Sequence, residues 1–282
     1  MRLRRAAAMP FLAVLLVLPA TGPERHVEPA GGASLVNHRT EQNRPPASGV
    51  LSGVGQLLRQ LGLGYDPPSV PLPGSSTRAP SADMVSRVSA STVKVSGVAC
   101  GAQVAGSGFS AAADTIVTNA HVVAGVRAPQ VLGPDGRRLT AQVQVFDPDR
   151  DVAVLAVPGL GQQPLAIGSA TVGESGGVYG HPQGQIPVEV SPAQVLRRID
   201  VTMTNIYDEG AIQRQVLVLA SDLEPGDSGA PVVNNSGKVV GVAFGVSTVQ
   251  DAIAFAVPGE EVAGALARPR SGAVSTGPCP PR

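Results

Sequence analysis

Aromatic residues make up only 3% of this 282-residue chain, and tryptophan is absent. Long apolar runs are missing too: the stretch at residues 11–18 falls short of the ~20 residues that cross a bilayer as a helix. Charge of either sign is not in excess. The net charge is zero, and no basic run follows the one at residues 2–5, so nothing in the chain recommends nucleic acid as a partner. Cysteine is nearly absent as well, with two residues, Cys100 and Cys279. An even count in an exported chain favours one disulfide over two free thiols. Closing so long a loop would stabilise the fold by at most about 5 kcal/mol if the chain-entropy account holds.

What the chain does contain is small and turn-forming. Thirty-four glycines, 26 prolines and a 43% hydrophobic fraction rich in Val and Ala point to many short strands and tight turns rather than long helices. Residues 1–22 open with basic residues and continue apolar, the outline of a secretory signal or a membrane anchor. Residues 23–83 are rich in Pro, Gly and Ser and read as a linker, mostly disordered. Within it, residues 50–63 have helix-compatible apolar spacing interrupted by glycines, and a fraying segment is expected there.

From residue 84 the pattern changes to a single domain running to 282. Segments 85–98, 106–110, 115–118, 139–146 and 152–157 read as strands, with the turn G-P-D-G at 133–136 between them. A second set follows at 177–179, 188–201, 215–220, 231–233, 238–244 and 252–257. The segment P-G-E-E-V-A-G-A-L-A, from Pro258, suits the start of a short helix. The expected fold is all-β: two six-stranded antiparallel barrels, about 84–165 and about 170–262, with a C-terminal helix and a tail to 282.

Three polar residues stand out against this background. Ser228 lies between glycines in L-E-P-G-D-S-G-A-P-V-V, after one β-rich run and before another. A serine hydroxyl is a poor nucleophile unless a base takes its proton and amide N–H groups receive the oxyanion. Glycines at 226 and 229 allow a turn that gathers such N–H groups beside the hydroxyl. The base is His121, at the end of an apolar run in T-I-V-T-N-A-H-V-V-A-G. Asp151, opening D-V-A-V-L-A-V, is the carboxylate expected to hold its imidazole, although Asp147 and Asp149 stand close by. The order His, Asp, Ser matches one of the known triad arrangements. Coming from opposite halves of the chain, the three would meet in a cleft between the barrels.

T-N-A-H-V-V-A-G, D-V-A-V-L and G-D-S-G-A-P resemble the trypsin-like serine proteases of bacteria, especially the HtrA branch, though no PDZ-like module follows here. The chain is most similar to the actinobacterial periplasmic protease family MarP. It shares V-K-V-S-G-V-A-C before G-S-G-F, F-D-P-D-R-D-V-A-V-L-A-V-P, G-V-A-F-G and a last cysteine, over roughly residues 84–282. The resemblance implies a serine endopeptidase with no metal or organic cofactor, acting on peptide or protein substrates. The backbone N–H groups of Gly226 and Ser228 would form the oxyanion hole. Ala243, Phe244 and Gly245 would form the wall that pairs with substrate, and Asp222 would either sit at the pocket base where trypsin selects Arg or Lys or be only a solvated turn residue, since loop lengths vary among the bacterial relatives. Val242 stands where glutamate-selective relatives have histidine, which argues against acidic preference. The resemblance also supports the Cys100–Cys279 pairing, an exported, periplasmic monomer that can be membrane-associated through its N-terminus, and a role in envelope stress. Ala230 replaces the usual second glycine of G-D-S-G-G-P, and Asp227 stands where MarP-like proteins often have asparagine. His181, in Y-G-H-P-Q-G, is expected to pack at the surface. The rival reading is a binding or scaffold protein on a protease fold whose catalytic residues go unused.

Overall fold

The computed structural model describes residues 79–247, 250–268 and 272–281. The leader expected at 1–22, the segment 50–63 and nearly all of the expected linker lie outside them. Among the described residues the first element is a helix, α1 (Ala82–Ser89), where a strand beginning at 85 and a linker ending at 83 were expected. Local chemistry explains the difference. The Ser81 hydroxyl caps the helix by accepting the Met84 N–H at 3.3 Å, with Asp83 in the first turn and Arg87 in the last. Met84 and Val88, one turn apart, are its buried face.

The first sheet is formed by β1 (Thr92–Ala99), β2 (Ala102–Ala112), β3 (Thr115–Thr118), β4 (Gln130–Leu132), β5 (Arg138–Thr140), β6 (Gln142–Asp147) and β7 (Val152–Ala156). Its order is β5-β4-β1-β2-β3-β7-β6, every pair antiparallel. It has seven strands rather than the expected six, with β5 and β6 at its ends. The additional strand arises because the G-P-D-G turn closes a hairpin of its own, Gly133 N–H donating to Arg137 C=O at 2.9 Å, which pairs β4 with β5. A one-turn helix, α2 (Ala120–Val123), leaves the end of β3 and carries His121.

The second half is the expected closed six-stranded barrel. Its strands are β8 (Ser175–Gly180), β9 (Glu189–Met203), β10 (Ile212–Ala220), β11 (Pro231–Asn234), β12 (Val239–Val246) and β13 (Ile253–Pro258), in the order β10-β13-β12-β11-β8-β9. Helix α3 (Gly259–Leu266) follows directly, with Glu260 and Glu261 in its first turn.

Three apolar clusters hold the halves. One, around Val93, Val95, Ile116 and Leu155, lies within the first sheet; another, around Leu217, Leu219, Val232 and Val240, fills the barrel. The third joins the two, running from Val88, Phe109, Val117 and Val154 to Tyr179, Val233, Val242, Val257 and Val262. Valine dominates the first and third, while alanine, valine and leucine share the barrel cluster, and each fully buried valine contributes roughly 1.5–3 kcal/mol. This shared cluster fixes the halves against each other and so fixes the cleft.

The tail returns to the first sheet. Val274 N–H donates to Val143 C=O at 2.8 Å, Gly125 N–H to Thr276 C=O at 3.1 Å, and Thr276 Oγ1 to Val126 C=O at 3.1 Å. Cys279 is bonded to Cys100 with Cα atoms 5.9 Å apart, across 179 positions of sequence.

Candidate active site

His121 and Asp151 meet as expected. The imidazole Nδ1 lies 2.7 Å from Asp151 Oδ2, and the His121 backbone N–H donates to Asp151 Oδ1 at 2.9 Å. Both carboxylate oxygens are therefore committed to one residue, which sets where the ring sits and which way it faces. Asp151 has no exposure and His121 only 9%. In this arrangement Nδ1 carries the proton and Nε2 is the free basic nitrogen.

The segment F-D-P-D-R-D places three carboxylates close together, and the structure gives each a different partner. Asp147 Oδ1 accepts the N–H groups of Asp149 and Arg150 at 3.1 and 2.9 Å, building the turn. Asp149 Oδ1 accepts from Asn205 Nδ2 at 3.1 Å. Asp151 alone reaches His121. Its backbone is held in the left-handed region, φ 55°, a conformation most side chains avoid and aspartate tolerates. Asn119, two residues before His121, donates from Nδ2 to the Asp151 carbonyl at 2.8 Å and clamps that conformation.

Ser228 reaches the site from the other half. Its carbonyl accepts the Ser107 N–H at 2.7 Å. A Cβ built on Gly106 would lie 2.8 Å from that carbonyl oxygen and 2.8 Å from Val122 Cγ2, so Ser228 and the His121 turn crowd the same glycine. Among the described residues neither the Ser228 hydroxyl nor His121 Nε2 has a hydrogen-bond partner, and no hydrogen bond joins the two. Bonds between nucleophile and base are often long without substrate and tighten when it binds.

The backbone around Ser228 is ordered by its glycines. Gly229 has φ 87° and a Cβ there would collide with the Ser107 carbonyl and the Thr118 hydroxyl. Gly226 has φ 106°, and a Cβ would collide with the His181 carbonyl. The N–H groups of Asp227, Gly229 and Ala230 donate to Glu224, Ala243 and Asp227 at 2.8–3.0 Å. Those of Gly226 and Ser228 have no acceptor among the described residues. Pro225 C=O accepts the Gln183 N–H at 2.5 Å. In a trans peptide the next N–H points the opposite way, so this bond turns the Gly226 N–H away from the 182–184 turn. Two unspent donors beside a hydroxyl are what a developing oxyanion requires.

Ser107 and His181 belong to this support, and sequence reading missed the first and misplaced the second. Ser107 Oγ donates to Gly226 C=O at 2.7 Å and accepts the His181 N–H at 2.9 Å. His181 was expected at the surface; it is 4% exposed, its Nδ1 3.1 Å from Gln185 C=O, and burial lowers its pKa. The Pro and Gly around it suggested an exposed turn, but that turn packs on Gly226 instead. Asp227 is buried, accepts the Glu224 N–H at 2.9 Å, and burial pushes its carboxyl up to about 6.

Ala243, Phe244 and Gly245, the expected substrate wall, lie on β12. Gly229 N–H donates to Ala243 C=O at 2.8 Å, which sets β12 beside the serine turn. A Cβ on Gly245 would meet nothing within 4 Å, so open space adjoins this wall. Of the two readings of Asp222, the structure favours the solvated turn residue over the pocket base. It is exposed and has no hydrogen-bond or ion-pair partner among the described residues, so water screens its charge and it cannot select a cation as a buried carboxylate would. Among the described residues no cluster of His, Cys, Asp or Glu could hold a metal ion.

Comparison with known proteins gives the family. Residues 106–242 match the model of the trypsin-like peptidase domain. Serine protease Rv3671c of Mycobacterium tuberculosis, the MarP protease, is 36% identical over 202 residues, 70% of this chain and 50% of its own. The chain thus spans half the length of that relative. Bovine mitochondrial serine protease HTRA2 is 34% identical over 56% of this chain and 34% of its own. The crystal structure of the Rv3671c protease in its active form superposes with a TM-score of 0.66 at 32% identity, over 74% of this chain and 98% of that one. Its inactive form gives 0.59 at 34% identity, over 67% and 96%. On this likeness in sequence and fold, the chain belongs to the trypsin-like serine proteases.

Proposed function

We propose that this chain is an exported serine endopeptidase with the triad His121, Asp151 and Ser228. Ser228 Oγ attacks the scissile carbonyl and passes its proton to His121 Nε2. The oxyanion that forms is received by the N–H groups of Gly226 and Ser228. Collapse breaks the C–N bond, the leaving amine takes the proton from His121, and water then hydrolyses the acyl-enzyme by the same route. Asp151 holds the tautomer and stabilises the imidazolium. The observation that carries the reading is the buried pair at 2.7 Å, with the imidazole's far nitrogen and the Ser228 hydroxyl both unspent. Likeness to the serine protease Rv3671c supports peptide or protein substrates; an envelope setting and a part in stress-linked protein processing are what the resemblance to the periplasmic MarP family implies.

Turnover of a peptide substrate by the purified domain tests this. Ser228→Ala and His121→Ala should each lower kcat by about six powers of ten. Asp151→Asn should lower it by about four. Asp149→Asn should stay near wild type, and damage there in place of Asp151→Asn would mean the carboxylate is misassigned. An unused protease fold serving as a scaffold would give no turnover in any of these proteins.

A further inference from the structure

Ser107, on β2 of the first half, is fully buried, and each of its polar atoms is bonded. Its N–H donates to Ser228 C=O at 2.7 Å, and its Oγ–H donates to Gly226 C=O at 2.7 Å. The same Oγ accepts the His181 N–H at 2.9 Å, and the Ser107 carbonyl accepts from Thr118 Oγ1 at 2.6 Å. The direction of each bond is fixed, because a carbonyl can only accept and an amide N–H can only donate. The two carbonyls that Ser107 holds therefore belong to the same two residues, Gly226 and Ser228, whose N–H groups have no acceptor among the described residues.

A peptide unit is planar, so an N–H points where the planes on either side of its residue let it point. Gly226, at φ 106°, lacks the Cβ that restrains other residues and would swing if a flanking plane were loose. The plane before it is held by the Gln183 N–H on Pro225 C=O. The plane after it is held by Ser107 Oγ on Gly226 C=O and by the Asp227 N–H on Glu224 C=O at 3.0 Å. Through the His181 N–H the same hydroxyl also grips the head of the turn that carries Gln183. It thus bears on both planes around Gly226, one directly and one through that turn. Ser228 depends less on the side chain. Its preceding plane is fixed by the Ala230 N–H on Asp227 C=O at 2.9 Å, and its following plane by the Ser107 backbone.

We propose that Ser107 is a positioning residue of the oxyanion hole, whose hydroxyl keeps the Gly226 N–H aimed into the hollow beside Ser228. The proposal rests on the reading of the Gly226 and Ser228 N–H groups as that hole. Being fully buried, the hydroxyl does not meet substrate. Its effect is felt when negative charge gathers on the substrate oxygen, so its loss weakens transition-state binding and leaves ground-state binding nearly as it was.

The test is Ser107→Ala, which deletes the hydroxyl and keeps the backbone bond to Ser228. With a peptide substrate, kcat should fall about 10–100-fold while KM stays within about twofold. A peptidyl boronic acid, which adds to a reactive serine as a tetrahedral anion, should lose affinity by the same factor as kcat/KM. Binding of the uncleaved peptide to Ser228→Ala, read by calorimetry, should be the same with and without Ser107→Ala. A serine that serves packing alone would lower stability without this split. An unchanged kcat, or losses shared equally by peptide and boronate, overturn the assignment. If Ser107→Ala does not fold, Ser107→Cys takes its place: close in shape and a weaker donor, it should show the same split at smaller size. If neither folds, the hydroxyl serves folding and the assignment is overturned. A wild type that neither turns over peptide nor binds the boronate defeats the reading of the hole and this proposal with it, whereas an active wild type matched by Ser107→Ala defeats this proposal alone.

Discussion

Asp227, between Gly226 and Ser228, is buried and takes one N–H, from Glu224. Burial holds its carboxyl at about 6 against an ordinary 3.8, so the native state binds this proton more tightly than the unfolded chain does. Stability from this group is therefore greatest at low pH and falls as pH rises from about 4 to about 6, by something on the order of 3 kcal/mol. Asp227→Asn should remove that slope and leave the protein more stable above pH 6, as read by urea unfolding at a series of pH values. A slope that survives the substitution belongs to another group. The three members of the proposed triad were legible because each sits in its own short motif. Ser107 and Asn119 were not, since a serine between glycines carries no local mark of what it will face across the cleft. Asp222 stayed open between pocket base and solvated turn for a similar reason: counting residues back from Ser228 locates a position in sequence but says nothing of its burial.

Alternation and turn chemistry identified most strands, because a strand's side-chain period is visible in the letters. Helix α1 escaped: Val85 and Val88 read as the start of a strand, and the signal that decides otherwise is the Ser81 cap just before them. Of the β4–β5 hairpin, the turn was seen and β5 was merged with β6 into one strand at 139–146, while β4 was missed, since three residues give too few alternations to register. The short 182–184 turn matters most for chemistry, because its Gln183 N–H fixes the peptide plane of the Gly226 donor. Gly226→Ala would place a methyl group on the His181 carbonyl at a φ that alanine avoids, pushing the turn off the serine loop. We expect kcat to fall by about 10²–10³, the cost of one oxyanion donor, with KM much less affected. A variant with wild-type kcat would show that this N–H is not in the hole.

The whole molecule depends on keeping two halves and a returning tail in register. The tail bonds to Gly125 and Val126, just past the His121 turn, before Cys279 reaches Cys100. Replacing both cysteines by serine should lower stability by about 2–4 kcal/mol in urea unfolding, without changing the triad side chains. An unchanged midpoint would mean the tail is held by its hydrogen bonds alone. The two-half plan was readable because the expected strands fall into two successive sets; the contacts that join the halves were not, because they are made by residues remote in sequence. The central claim, that Ser228 is a nucleophile made reactive by His121 across that cleft, is tested most directly by labelling the purified domain with a fluorophosphonate and mapping the adduct by mass spectrometry. A single adduct on Ser228, absent from Ser228→Ala and nearly absent from His121→Ala, is the expected result. A folded protein that takes no label, or takes it on another residue, would contradict the account.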